Sequence, residues 1–348
     1  MSEGTGLASR TAPATVHRWA SIDDHLGPAA LRLFGEGYRR TRPQLRGLAV
    51  THEGSTSTLS AWGAITLPDD WSVKDGEHQR PHLATTDVIA LTAQAVGALV
   101  AARFDPVTAA ASLITGLDVH ASDRPLEDGL GQFRVAATLE TDDDQGAGTR
   151  FRATVGPLTA SGELARPLAV PSLADVVTPG ETTVAPPGAP YGERMTTRSQ
   201  GLTDVTLDAG TVRATSTLVD APAPPAPRGL EAAAQPAYAL VDVFVATLQL
   251  GQVLLYDLDA IDRGASDTLW MRRTSVRTRA PLPATGPVAV RATLDRARLV
   301  DRDAATWRLA DVVGDVGPYT VRTALAHRVP RPPAARRAAG TTPAPPTQ

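Results

Sequence analysis

Apolar positions along this chain follow two periods, and both patterns occur twice. Residues 45–53 and 56–67 alternate apolar and polar with Gly54-Ser55 between them, which predicts a β-hairpin. A charged, histidine-rich loop at 68–81 then leads to a helix at 84–102 that carries no charge after Asp87 until its end. Strands at 112–121, 131–140 and 149–158 follow, the last two separated by a turn at 142–146. The second half repeats the order, with a hairpin at 201–207 and 211–219, a Pro-rich loop at 220–229 and a helix at 239–256 uncharged after Asp242. Strands at 268–277, 288–299, 307–313 and 319–327 complete it.

The two helices share a signature 155 positions apart: Asp87-Val88-x-x-x-Thr92-x-Gln94 and Asp242-Val243-x-x-x-Thr247-x-Gln249. A helix apolar on every face must be enclosed. The uncharged runs 88–102 and 243–256 fall short of the roughly 18 residues of a membrane span, so enclosure by protein is predicted. One buried helix per half, between a hairpin and an antiparallel meander, predicts an α+β double hot-dog: two antiparallel sheets, each wrapped round a long helix. The expected organisation is a disordered tail at 1–18, a first hot-dog domain at 19–164, a Pro-rich linker at 165–192, a second domain at 193–328 and a disordered tail at 329–348. A short helix at 29–38 is expected ahead of the first hairpin.

Composition narrows the chemistry. A formal charge of −3 over 348 residues offers no basic surface for nucleic acid. The chain has no cysteine, which removes thiolate nucleophiles and thiolate metal sites, and no His/Asp/Glu spacing suits a metal. No apolar signal region occurs in 1–19, so a cytoplasmic protein is expected, with no membrane partner. Lys74 is the only lysine, against more than thirty arginines, so any Schiff-base chemistry would have to use it.

The candidate groups cluster in the loop before the first helix. His82 and Asp87 could face one cleft as base and orienting acid; alternatively His82 packs on the loop and Asp87 caps the helix. His78 is a second candidate base, more readily explained as solvated. Trp71 either stacks on a sugar or plugs the mouth of a core. Arg80, Arg272 and Arg273 offer guanidiniums for a phosphate, a hydroxyl or a pantetheine arm, or belong to solvated faces. Gln94 and Gln249 are buried amides that either pin strand backbone or reach substrate, and Asp242 repeats the position of Asp87. Thr92 and Thr247 are expected to bond back to the preceding helical turn.

The segments at 21–39 (SIDDHLGPAALRLFGEGYR), 69–94 (DDWSVKDGEHQRPHLATTDVIALTAQ) and 268–273 (TLWMRR) resemble the avirulence D, or AvrD, family, itself similar at a distance to the A-factor synthase (AfsA) hot-dog proteins. The resemblance covers most of 19–327. It implies an enzyme that joins a β-ketoacyl thioester to a small polyhydroxy acceptor such as a ketopentose, giving a syringolide- or butyrolactone-like signal or secondary metabolite. In that reading His82 and Asp87 move protons, and Arg80, Gln94, Trp71, Lys74, His78, Asp242, Gln249 and Arg272 contact substrate. No cofactor is implied beyond acyl-CoA or an acyl carrier protein as donor; since the double fold already supplies the pairing that single hot-dogs obtain by dimerising, a monomer or a homodimer is expected. One departure bears on mechanism. Relatives among hot-dog dehydratases carry a glutamate three or four residues before the helix glutamine, where this chain has Ala90 or Leu91 and Val245 or Ala246. Two other readings remain: an acyl thioesterase or dehydratase, and a noncatalytic acyl-ligand binding protein.

Overall fold

The computed structural model describes residues 16–141, 148–166 and 188–330. The turn expected at 142–146, most of the expected linker and most of both expected tails therefore lie outside the described residues. In chain order the strands of the first half are β1 (His17–Ser21), β2 (Arg42–Glu53), β3 (Thr56–Thr66), β4 (Val73–Lys74) and β5 (Glu77–His78) before helix α1 (Thr85–Arg103). After it come β6 (Leu113–His120), β7 (Phe133–Glu140), β8 (Thr149–Val155) and β9 (Leu158–Ala165). The second half has β10 (Ser199–Asp208), β11 (Thr211–Val219), helix α2 (Leu240–Asp259), β12 (Trp270–Arg277), β13 (Val288–Arg302), β14 (Ala305–Val316) and β15 (Tyr319–Val329).

Thirteen strands form one antiparallel sheet, ordered β1-β10-β11-β13-β14-β15-β12-β6-β9-β8-β7-β3-β2. The order from β6 to β2 and the order from β12 to β10 are the same topology read outward from a shared seam. There β6 pairs with β12, from Arg273 opposite His120 to Arg277 opposite Gly116. Each helix packs across the strands of its own half, and the two helices also touch. That is the double hot-dog, joined edge to edge. By length and composition both helices could cross a membrane; here the sheet encloses them. Val88, Ile89, Leu91, Val243, Phe244 and Leu248 are wholly buried.

The helix signatures do structural work in each half. Asp87 accepts the N–H of Ala84 and Asp242 that of Ala239, so both acids cap the turn they open. Thr247 Oγ1 donates back to Val243 O at 2.9 Å, as expected. Thr92 Oγ1, by contrast, is buried with no partner among the described residues.

Four local expectations change. The run at 149–158 is not one strand, because Gly156-Pro157 folds the chain back and sets Val155 opposite Leu158, starting β9. The loop at 68–81 contains the β4–β5 hairpin, turned by Asp75 and Gly76 at positive φ. His17 and Arg18 are not tail: they belong to β1, which pairs with β10 of the other half. The helix expected at 29–38 is broken into a 3-10 turn at Ala29–Leu31 and a π turn at Leu33–Gly37. Arg32 between them is extended, and its buried guanidinium ion-pairs with Asp23 and donates to Gln249 Oε1 at 2.6 Å. A continuous helix would not have permitted that break in direction at Arg32.

Candidate functional site

A cavity of about 960 Å³ opens where the two halves meet. The first half contributes Trp71, Lys74 and His82 from the loop, and Ala84 and Thr85 from the start of α1. The second half contributes Gln252 from α2, then Arg263, Trp270 and Arg272. Neither half alone would enclose it.

His82 sits between two indoles. Its ring lies 5.3 Å from Trp71, edge to face, and 5.5 Å from Trp270. Burial lowers its pKa against the opposing pull of the Arg80 carbonyl and Glu127, so the ring is neutral near pH 7. Nδ1 lies 3.3 Å from Arg80 O. With the proton on Nδ1 donating there, Nε2 is the free acceptor. The Trp71 N–H is itself fixed by Gln79 O at 3.0 Å.

Lys74 stands at the base of the β4–β5 turn and reaches across to the second half. Nζ donates to Asp267 O at 2.8 Å, Ser266 Oγ at 3.2 Å and Ser266 O at 3.3 Å. Burial, reinforced by the charge of Arg263, brings its pKa down to about 8. Arg263 donates to Val73 O and Leu31 O at 2.8 and 2.9 Å. Among the described residues, neither cation has a carboxylate within ion-pair distance. Ser266 Oγ also donates to Tyr256 Oη at 3.1 Å, and Gln252 Nε2 donates to the same phenol at 3.2 Å. This links the loop of one half to the helix of the other.

The two helix starts differ in a way that decides which is available. At α2, Leu240 N donates to the Tyr191 hydroxyl at 3.3 Å, and Arg39 and Arg198 each hold Asp242 at 3.1 Å, all of it buried. At α1 the corresponding aspartate meets no cation among the described residues: there Asp87 accepts from Ala84 N and, at 3.1 Å, from Thr41 Oγ1. Burial raises its pKa to about 7 against those two bonds. Ala84 and Thr85 border the cavity, so the start of α1, where a helix leaves its first amides without intrahelical acceptors, stands at its edge.

The structure therefore gathers only part of the expected set. Trp71, Lys74, His82 and Arg272 line the cavity, Arg272 on the rim with Asp123 at 3.2 Å. Asp87 is 1% exposed, does not line the cavity, and shares no hydrogen bond with His82 among the described residues, so the expected pair is not formed. Arg80 points to Glu127 and Asp128 at 2.8 and 3.4 Å, and His78 is exposed with Nδ1 3.1 Å from Asp69 O. Gln94 pins backbone, donating to Tyr191 O at 2.8 Å and Pro43 O at 3.2 Å. Gln249 and Asp242 are held by arginines, and Arg273 pairs with Asp118 at 3.3 Å. Arg32, Gln252, Arg263 and Trp270 line the cavity without having been singled out. Arg32 had a signal, a charge between Leu31 and Leu33 in an apolar run.

The family model described as Pseudomonas avirulence D protein (AvrD) matches residues 17–330. The chain belongs to the AvrD family. No curated protein sequence matches this AvrD-family chain. Among solved structures, it is similar to the tesB protein of Mycobacterium avium subs paratuberculosis, at 13% identity and a TM-score of 0.39, over 82% of this chain and 96% of that one. It is also similar to the acyl-CoA thioesterase II TesB2 of Mycobacterium marinum, at 10% identity and 0.38, over 85% and 97%. The dehydratase domain of the CurJ module of Curacin polyketide synthase matches at 10% identity and 0.38, over 82% and 96%. Likeness at this level says nothing of substrate or reaction.

Proposed function

We propose that this AvrD-family protein is an enzyme that joins a β-ketoacyl thioester to a small polyhydroxy acceptor of the sugar or ketopentose type, giving a syringolide- or butyrolactone-like product. The observation that carries the reading is the meeting of a neutral histidine and an open helix start on one cavity built by both halves. The acyl thioester carbonyl lies at the first turn of α1, where amide N–H groups and the helix dipole stabilise the oxyanion. His82 Nε2 takes the proton of an acceptor hydroxyl as its oxygen bonds to the carbonyl carbon. The carbon–sulfur bond then breaks, and the imidazolium returns the proton to the departing thiolate. Arg263, rather than Arg80, faces the polar substrate. The donor is a CoA or carrier-protein thioester, and the protein acts in the cytoplasm.

The test is incubation of purified protein with a β-ketoacyl thioester, with and without a ketopentose, followed by mass spectrometry. An acceptor-dependent acylated product is expected, and His82→Ala should lower its rate by about 10²–10⁴-fold with the circular dichroism unchanged. Thiol release that ignores the acceptor would make the protein a thioesterase instead. Stoichiometric binding without turnover would make it an acyl-ligand binder.

A further inference from the structure

Lys74 is the sole lysine in a chain whose other 33 basic side chains, histidine aside, are arginines. The cavity itself uses arginine wherever a fixed charge suffices, at Arg32, Arg263 and Arg272. Arginine supplies charge and hydrogen bonds as well as lysine does; what it cannot do is lose its proton and become a nucleophilic amine. That single position lines the cavity and is stationed by a tight Asp75-Gly76 turn. Its ammonium rests on two backbone carbonyls and one hydroxyl rather than on a carboxylate. An ion pair would hold the proton in place; neutral acceptors hold it far less firmly. The depressed pKa of about 8 agrees with this geometry.

We infer that Lys74 is a carbonyl-condensing residue that forms a Schiff base with the β-keto group of the acyl donor, an inference resting on the proposed β-ketoacyl substrate. The amine nitrogen bonds to the ketone carbon and its proton passes to the oxygen. The hydroxyl then leaves as water with one further proton from solvent, so that a protonated imine remains. The imine cation draws electrons from the C–H bond between it and the thioester. His82, in the same cavity, takes that proton and gives it to the acceptor's carbonyl oxygen as the enamine carbon bonds to the carbonyl carbon, which restores the imine. Water then adds to the imine and returns the free amine. Carbon–carbon bond formation between donor and acceptor thereby acquires its own catalyst in Lys74, beside the acyl transfer at the helix start.

The experiment is reductive trapping on the intact protein with sodium cyanoborohydride and 3-oxohexanoyl-N-acetylcysteamine, with hexanoyl-N-acetylcysteamine as the ketone-free control. The expected result is a reduced adduct on the peptide containing Lys74 with the keto thioester and none with the control. Lys74→Arg, checked for fold by circular dichroism, should lose the adduct and at least tenfold in product formation. If that variant fails to fold, the wild-type peptide map decides by itself. No adduct while the keto thioester is turned over with an acceptor overturns the Schiff base and leaves the proposed function standing. An adduct confined to the Met1 amine also overturns it. No adduct and no turnover overturns both.

Discussion

Asp87 and Asp242 occupy the same position in the two signatures and cap their helices alike, yet their surroundings differ by two guanidiniums. Asp242 is neutralised by Arg39 and Arg198, whereas among the described residues Asp87 has a hydroxyl and an amide for partners. Burial therefore raises the Asp87 pKa from 3.8 to about 7. The folded state favours its protonated form. The stability this contributes is complete below about pH 4 and is lost as pH rises through 7. Glu231, buried against Tyr191 and also raised to about 7, behaves the same way, so the contribution of Asp87 must be read by difference. The unfolding free energy of wild type minus that of Asp87→Asn should fall as pH goes from 4 to 7 in urea titrations. A difference that stays constant across that window would contradict the assignment. Nothing in the sequence distinguished the two aspartates, because the arginines that separate them lie 203 and 44 positions from Asp242.

At the scale of elements, each helix must approach its sheet closely enough to leave no void. On α2 this is done with Gly251 facing Val312 and with Gly314 of β14 facing Thr247. A Cβ added at Gly251 would lie 2.7 Å from a Val312 methyl, and one at Gly314 would lie 2.5 Å from the Thr247 methyl. Gly251→Ala should therefore destabilise the fold, despite the better helix propensity of alanine, by about 1–3 kcal/mol in chemical denaturation. Unchanged stability would mean that the helix moves away without loss. The helices, both hairpins and most meander strands were legible in the sequence, since periods of 3.6 and 2 are local properties. The broken segment around Arg32 was not legible. Its apolar spacing suits a helix, and the pull of Asp23 and Gln249 on a buried guanidinium is what interrupts it.

At the scale of the molecule, the halves are tied by more than chain connectivity. The β6–β12 ladder makes one sheet of two, Glu231 Oε1 accepts Ile114 N at 2.9 Å, and Arg32 and Arg39 of the first half reach Gln249 and Asp242 of the second. Removing either half would strand buried polar groups in the other. Calorimetric unfolding should accordingly show one cooperative transition, with equal calorimetric and van't Hoff enthalpies. Two resolved transitions would show that the halves are independent domains. The cavity follows the same logic: its loop, helix start and histidine come from one copy, and Gln252, Arg263 and Trp270 from the other.

The sequence by itself determined the duplicated core, since the enclosure of each uncharged helix and the alternation of each strand depend only on neighbouring residues. It also confined the only lysine and most histidines to the first half. Only the tertiary structure decided which of those groups share a cavity. It placed Lys74 beside Ser266, set His82 between Trp71 and Trp270, and turned Arg80 and Asp87 away from the cavity. The reason is physical. The burial and charge that make a side chain reactive are supplied by residues distant in the chain, and no local pattern encodes which of them will arrive.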